Sequence, residues 1–132
     1  MRRAFSLPAN DEKYLDSLGL PWETIVEGAH RWLLLHQFPV PYGYKVQQVI
    51  AALRIDGMYP DTQIDMVYVN PSLVRSDEKT IAALSDANFD NKVFQQWSRH
   101  RTATNPWQPG IDDINTHLEL VKDWFAREFK VR

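Results

Sequence analysis

Met58-Tyr59-Pro60-Asp61-Thr62-Gln63-Ile64-Asp65-Met66-Val67-Tyr68-Val69-Asn70-Pro71 is the stretch on which the reading of this chain turns. Ile64, Met66 and Tyr68 alternate with Asp65, Val67 and Val69, the period of a strand whose successive side chains point to opposite faces. Asn70-Pro71 breaks that strand, because proline has no N–H for a sheet ladder. Upstream, Val49, Ala51, Leu53 and Ile55 alternate with Ala52, Arg54 and Asp56, a second strand with one face buried that ends at Asp56-Gly57. Further back, Thr24-Ile25-Val26-Glu27 and Trp32-Leu33-Leu34-Leu35-His36 are rich in β-branched, aromatic and apolar residues, interrupted by Gly28 and closed by Phe38-Pro39-Val40-Pro41. They read as one long strand bent at Gly28 or as two short ones. With a turn at Gly43, the set forms an antiparallel β-meander.

Helical signals flank the meander. Asn10 or Asp11 caps a short N-terminal helix through Tyr14, Leu15 and Leu18, which Gly19 and Pro21 stop. At the other end Ile111, Ile114, Leu118, Val121, Phe125 and Phe129 recur at spacings of three and four, an amphipathic C-terminal helix. Asp112 and Asp113 suit the positive end of its dipole and Lys130 and Arg132 the negative end, so the two aspartates read as a helix start rather than an acid–base pair. Between Ser72 and Pro109 periodicity fades into a long irregular segment, within which Val93 to His100 is expected to form a short helix. The order of elements predicts an α+β fold, with helices and loops on one side of an antiparallel sheet.

The 132 residues suit one domain, 1–132, able to bury roughly two thirds of the surface its unfolded chain exposes. The net charge of −2 is spread over mixed signs, and the nearest basic cluster, Arg99-His100-Arg101 beside Trp97, is too small to argue for nucleic acid. No segment approaches the roughly 20 apolar residues of a membrane span, which together with the lack of an apolar leader points to a cytoplasmic protein. Cysteine is absent altogether. The chain therefore works without a thiol, the side chain most easily ionised to a nucleophile near neutral pH.

The Tyr59-Pro60 pair, the Asn70-Pro71 break, the long segment and Trp107-Gln108-Pro109 leading into a helix resemble the ubiquitin-conjugating fold and its RWD relatives. Leu7-Pro8, Leu18-Gly19-Leu20, Trp32-Leu33-Leu34-Leu35-His36, Tyr59 to Gln63, Trp97-Ser98-Arg99-His100-Arg101 and Trp107-Gln108-Pro109-Gly110 extend the resemblance to prokaryotic family E of that superfamily, over nearly the whole chain. Such a resemblance implies a bacterial ubiquitin-like conjugation pathway, with a ubiquitin-like protein, an activating enzyme and a JAB-type metalloprotease as partners and no cofactor. It also implies a nucleophile position at Ala82 or Ala83, followed by Leu84 as in the Cys-Leu pair of the fold. Where the superfamily has His-Pro-Asn this chain has Val69-Asn70-Pro71, so Asn70 is the neighbouring candidate for the asparagine of that motif. Alanine at 82 and 83 is either native or stands in place of a replaced cysteine.

Other side chains could supply chemistry. Ser85, with Asp86 beside it and Ser72, Ser76 and Thr80 nearby, could carry an oxyester if His100 acted as base, since histidine changes protonation near neutral pH. The alternative is that these residues make turns and caps and that His100 is a structural histidine. His36 and His117 read as structural or solvated, and four scattered histidines without cysteine give no metal-ligand spacing. Trp32, Trp97, Trp107 and Trp124 suit a core or lid, whereas Trp22, between Pro21 and Glu23, is the surface candidate. Trp22, Phe38 at the apolar tip of the Pro-rich hinge, Trp97, Arg99 and Arg101 form the expected partner-binding set. Three functions stay open at this point. They are a non-catalytic module that binds the ubiquitin-like protein and/or its activating enzyme, a transferase that carries the ubiquitin-like C-terminus, and an unrelated small hydrolase using His100 with Asp86 or Asp90.

Overall fold

A computed structural model describes residues 1–130, and in it the apolar run after Pro21 folds back on itself. Strands β1 (Trp22–Glu27) and β2 (His30–Pro39) form an antiparallel hairpin. Gly28 takes φ +59° in its turn, a left-handed conformation that glycine adopts without steric penalty. The two-strand reading of this run is therefore the one that holds. β3 (Gln48–Arg54) pairs with β2, and β4 (Val67–Asn70) with β3. β4 is shorter than the alternation of Ile64 to Val69 suggests, because Met66 turns to φ +61° and only the residues after it enter the ladder.

The segment after Pro71 corrects the sequence reading. It holds a second hairpin, β5 (Leu84–Phe89) and β6 (Lys92–Trp97), and Val93 to His100 is not helical. Phe94 and Trp97 are three apart and both buried, which mimics helical spacing. On a strand, residues three apart point to opposite faces, and here each side has a core to fill. β6 pairs with β4, so among the described residues six strands form one sheet in the order β1-β2-β3-β4-β6-β5.

Helix α1 (Ala9–Ser17) starts after Pro8 without a side-chain cap, so neither Asn10 nor Asp11 caps it. Gly19, at φ +71°, ends it in the left-handed conformation common after helices. α2 (Ile114–Arg127) starts at a capping box in which Asp113 and Thr116 satisfy each other's backbone N–H groups. Ile111 thus precedes the helix and is exposed instead of lying on its apolar stripe. Lys130 follows the helix, and Arg132 lies outside the described residues. The last carbonyls of α2 find donors elsewhere, since Tyr44 Oη donates to Phe125 O at 2.7 Å and Arg75 Nη1 to Glu128 O at 2.6 Å.

Both helices pack on one face of the sheet. Leu33, Leu35, Leu53, Val67, Val69 and Trp97 meet Leu15 of α1 and Ile114, Leu118, Val121 and Phe125 of α2 there. The opposite face carries a second core of Ile25, Trp32, Leu34, Ala52, Tyr68, Phe89 and Phe94, to which neither helix contributes. It is covered by the sheet itself, which curls until its two edges approach. Trp32 of β2 stacks on Phe89 of β5 at 3.8 Å, and Phe89 stacks on Phe94 at 4.1 Å. Arg2 then bridges Glu23 on β1 and Asp90 in the β5–β6 turn. No helix among the described residues is long and apolar enough to cross a membrane.

Candidate functional site

The position that the resemblance implies for a nucleophile lies just before β5. Ala82 and Ala83 are exposed, and Ala83 takes φ +57°, a left-handed conformation that is unfavourable for any residue with a Cβ. Both carbonyls are held: Arg99 Nη1 donates to Ala82 O at 3.0 Å, and Ser98 N donates to Ala83 O at 3.1 Å. Arg99 Nη2 in turn bonds Glu128 Oε2 at 3.2 Å, and its guanidinium lies 4.8 Å from the Trp97 ring centre. Arg99, His100, Trp124, Arg127 and Glu128 surround a pocket of about 280 Å³ beside this point. The side chains exposed at position 82 and 83 are methyl groups, so nothing there can attack a carbonyl.

The proposed helpers are scattered. Asn70 ends β4 and its Nδ2 donates to Val93 O at 2.9 Å, at one end of β6. Leu84 pairs with Trp97 at the other end, so Asn70 and Ala83 stand about 13 Å apart along β6 at about 3.3 Å per residue. Asn70 therefore does not reach the nucleophile position. Ser85 lies exposed on β5 opposite Gln96, and its hydroxyl has no histidine bonded to it. His100 is at the right end of the sheet but donates Nδ1–H to both oxygens of Asp65 at 3.0 Å. A hydroxyl without a base in contact is not an activated nucleophile.

The expected partner-binding residues separate in the same way. Trp22 is buried, with Nε1 donating to Asp16 Oδ1 at 2.9 Å and the Arg3 guanidinium stacked 3.4 Å above its ring. Phe38 and Trp97 are core residues as well. Phe38 is buried because a bulge at Gln37, φ +58°, turns it inward beside Phe125. Arg101 is nearly covered, 5.0 Å from the Trp107 ring centre and 3.6 Å from Asp112. Arg99 alone of the five stays within reach of solvent beside the pocket.

Sequence reasoning missed Asp65, Glu128 and Arg75, which fix the surroundings of the site. Asp65 and Glu128 have partners far away in sequence, and Arg75, besides its neighbour Asp77, reaches Glu128 O, so no local pattern marks this set. The Tyr59-Pro60 and Trp107 motifs do come together: Trp107 Nε1 donates to Pro60 O at 2.9 Å. Tyr59 Oη donates to Asp11 Oδ2 at 2.7 Å, and the other Asp11 oxygen accepts from Ile114 N, the first residue of α2. Burial pushes the Asp11 carboxyl up, against the lowering effect of the Tyr59 bond, and pushes the Tyr59 phenol up as well. These motifs join α1, the β3–β4 connection and the start of α2 into one corner, a structural role.

The family model described as prokaryotic E2 family E matches residues 7–128, nearly the whole chain. The chain belongs to prokaryotic E2 family E. Membership of this family supports a ubiquitin-conjugating-like role in a bacterial pathway. No curated protein and no solved structure matches the chain significantly.

Proposed function

We propose that this family E chain is a non-catalytic ubiquitin-conjugating-like module of the cytoplasm that binds a ubiquitin-like protein and/or its activating enzyme. The observation that carries this reading is the alanine pair at the nucleophile position, in a chain that contains no cysteine. The separation of Asn70 from that position and the absence, among the described residues, of any histidine bonded to Ser85 support it further. The exposed start of β5 and the Arg99 pocket are the surfaces on which such a partner would dock. A JAB-type metalloprotease in the same pathway would act on the conjugate rather than on this chain.

The test mixes the chain with a bacterial ubiquitin-like protein, its activating enzyme and ATP, and reads the intact mass before and after hydroxylamine. No added mass, together with co-elution on a sizing column, is the expected result. An added mass that hydroxylamine removes would mean a carried ester and would overturn the binding-only reading, making Ser85 the first residue to substitute. In the same assay Ser85→Ala and His100→Ala, like the unsubstituted chain, show no adduct.

A further inference from the structure

The two edges of the sheet are treated differently. In the β5–β6 hairpin, Asp90 and Asn91 occupy a two-residue turn with φ +52° and +58°, and Phe89 faces Lys92 across it. In such a hairpin the pair that flanks the turn exchanges both hydrogen bonds, and bonded pairs then alternate along the strands. Phe89, Ala87 and Ser85 thus point their N–H and C=O groups at β6, and the bond from Ser98 N to Ala83 O continues the series. Leu84, Asp86 and Asn88 point theirs away from the sheet. Among the described residues no backbone or side-chain group bonds to these outward groups.

The same counting on β1, where Glu27 faces His30, turns Trp22, Thr24 and Val26 outward. That edge is covered at Trp22 and Thr24, and only Val26 at its end is left open. Thr24 N donates to Arg2 O at 3.0 Å, Thr24 O accepts from Ala4 N at 2.9 Å, and Trp22 O accepts from the Arg3 guanidinium. An open edge is a template for another strand, and proteins usually guard it with lysine, proline or a covering segment. β5 reads Leu84-Ser85-Asp86-Ala87-Asn88-Phe89, with neither lysine nor proline, and its Ser85, Asp86 and Asn88 are exposed. Its free end runs directly into Ala82 and Ala83.

From this contrast we infer that the outer edge of β5 is a strand-addition site for the extended C-terminal tail of the ubiquitin-like protein. The inference rests on the function proposed above and goes beyond it by naming the surface and the direction. A tail whose carboxyl end comes to Ala82–Ala83 must run toward residue 84, so it lies antiparallel to β5. Backbone hydrogen bonds to Leu84, Asp86 and Asn88 supply the affinity, as in other strand-addition complexes. Asp86, the one charged residue of β5, selects a tail with a basic side chain opposite it.

The experiment measures affinity and amide hydrogen exchange with the same intact ubiquitin-like protein, and with a version lacking its last six residues. Binding is expected to slow exchange at Leu84, Asp86 and Asn88, while Ser85 and Ala87 are already slow in the free chain. Asp86→Pro removes one outward N–H without touching the β5–β6 ladder and is expected to weaken binding at least about tenfold, as is tail truncation. Val26→Pro makes the same change on the other edge and leaves binding unchanged. An unaltered melting temperature shows that each variant folds. Full binding by Asp86→Pro without the alternating protection overturns the edge site and leaves the proposed function standing. No complex with the wild-type chain overturns both. Alternating protection that grows with this chain's own concentration, with no partner added, assigns the edge to a second copy and overturns the tail as occupant.

Discussion

Gly43 sits with φ +121° against the Phe129 ring, and a Cβ built there would lie 2.5 Å from its Cζ. Phe129 also packs edge-on to Tyr44 and lies under the Arg75 guanidinium, so it has little room to move. Gly43→Ala combines backbone strain with a clash and is expected to cost more than about 2 kcal/mol in denaturant unfolding. His117 gives a residue-scale pH dependence. It is fully buried, donates Nε2–H to Met66 O at 2.9 Å, and its Nδ1 has no partner among the described residues. Burial lowers its pKa from 6.5 to about 4. Between those values the unfolded chain binds a proton that the folded chain refuses, so stability is full above about 6.5 and falls as pH drops toward about 4. The loss amounts to about 3 kcal/mol, and His117→Gln should flatten that part of the unfolding profile.

The β5–β6 hairpin depends on its turn. Asp90 and Asn91 both occupy left-handed conformations, which asparagine and aspartate tolerate and β-branched residues do not. Asn91→Val should destabilise the chain by about 1 to 2 kcal/mol, whereas Asn91→Gly should be neutral or stabilising, both read by thermal unfolding. The same turn shows what the sequence made legible and what it hid. β3 and α2 were legible from their periodicity, and β1 and β2 from a run of β-branched, aromatic and apolar residues that serves both cores. Asp90-Asn91 between Phe89 and Val93 was a hairpin signal, yet β6 escaped because Phe94 and Trp97 serve different cores and so break the two-residue period. Ala82 and Ala83, which the resemblance implies as the nucleophile position, lie exposed just before β5. Asn70's distance from them was not legible, since that depends on how β4 and β6 are registered rather than on spacing along the chain. Trp22 and Phe38 were misplaced because a tryptophan or phenylalanine beside proline reads alike whether it faces water or a core, whereas Trp97 fills the core as one of its two readings had it.

At the scale of the whole molecule, the helices account for one face of the sheet and the curl for the other. The curl is closed by two kinds of contact: the stacked rings of Trp32, Phe89 and Phe94, and the bridge from half-exposed Arg2 to buried Glu23 and to Asp90. The hydrogen bond from Arg2, opposed by burial and helped by His36, lowers the Glu23 carboxyl to about 2. Its contribution is therefore present above about 4.5 and lost as pH falls toward about 2, and Arg2→Ala should shrink that acid-side loss. Arg2 itself is about half exposed, which lets solvent screen its pairs, so the rings hold most of the closure. Phe89→Ala removes the ring that touches both Trp32 and Phe94 and should cost about 3 kcal/mol or more. Native-state hydrogen exchange then shows whether the curl is a unit of its own. In Phe89→Ala the amides of β5, β6 and the strand-like residues 2–4 should lose protection together, while those of β2, β3 and α2 keep theirs. A uniform loss across all elements would mean that the two cores unfold as one, and the edge of β5 could not open or close independently of the helical face.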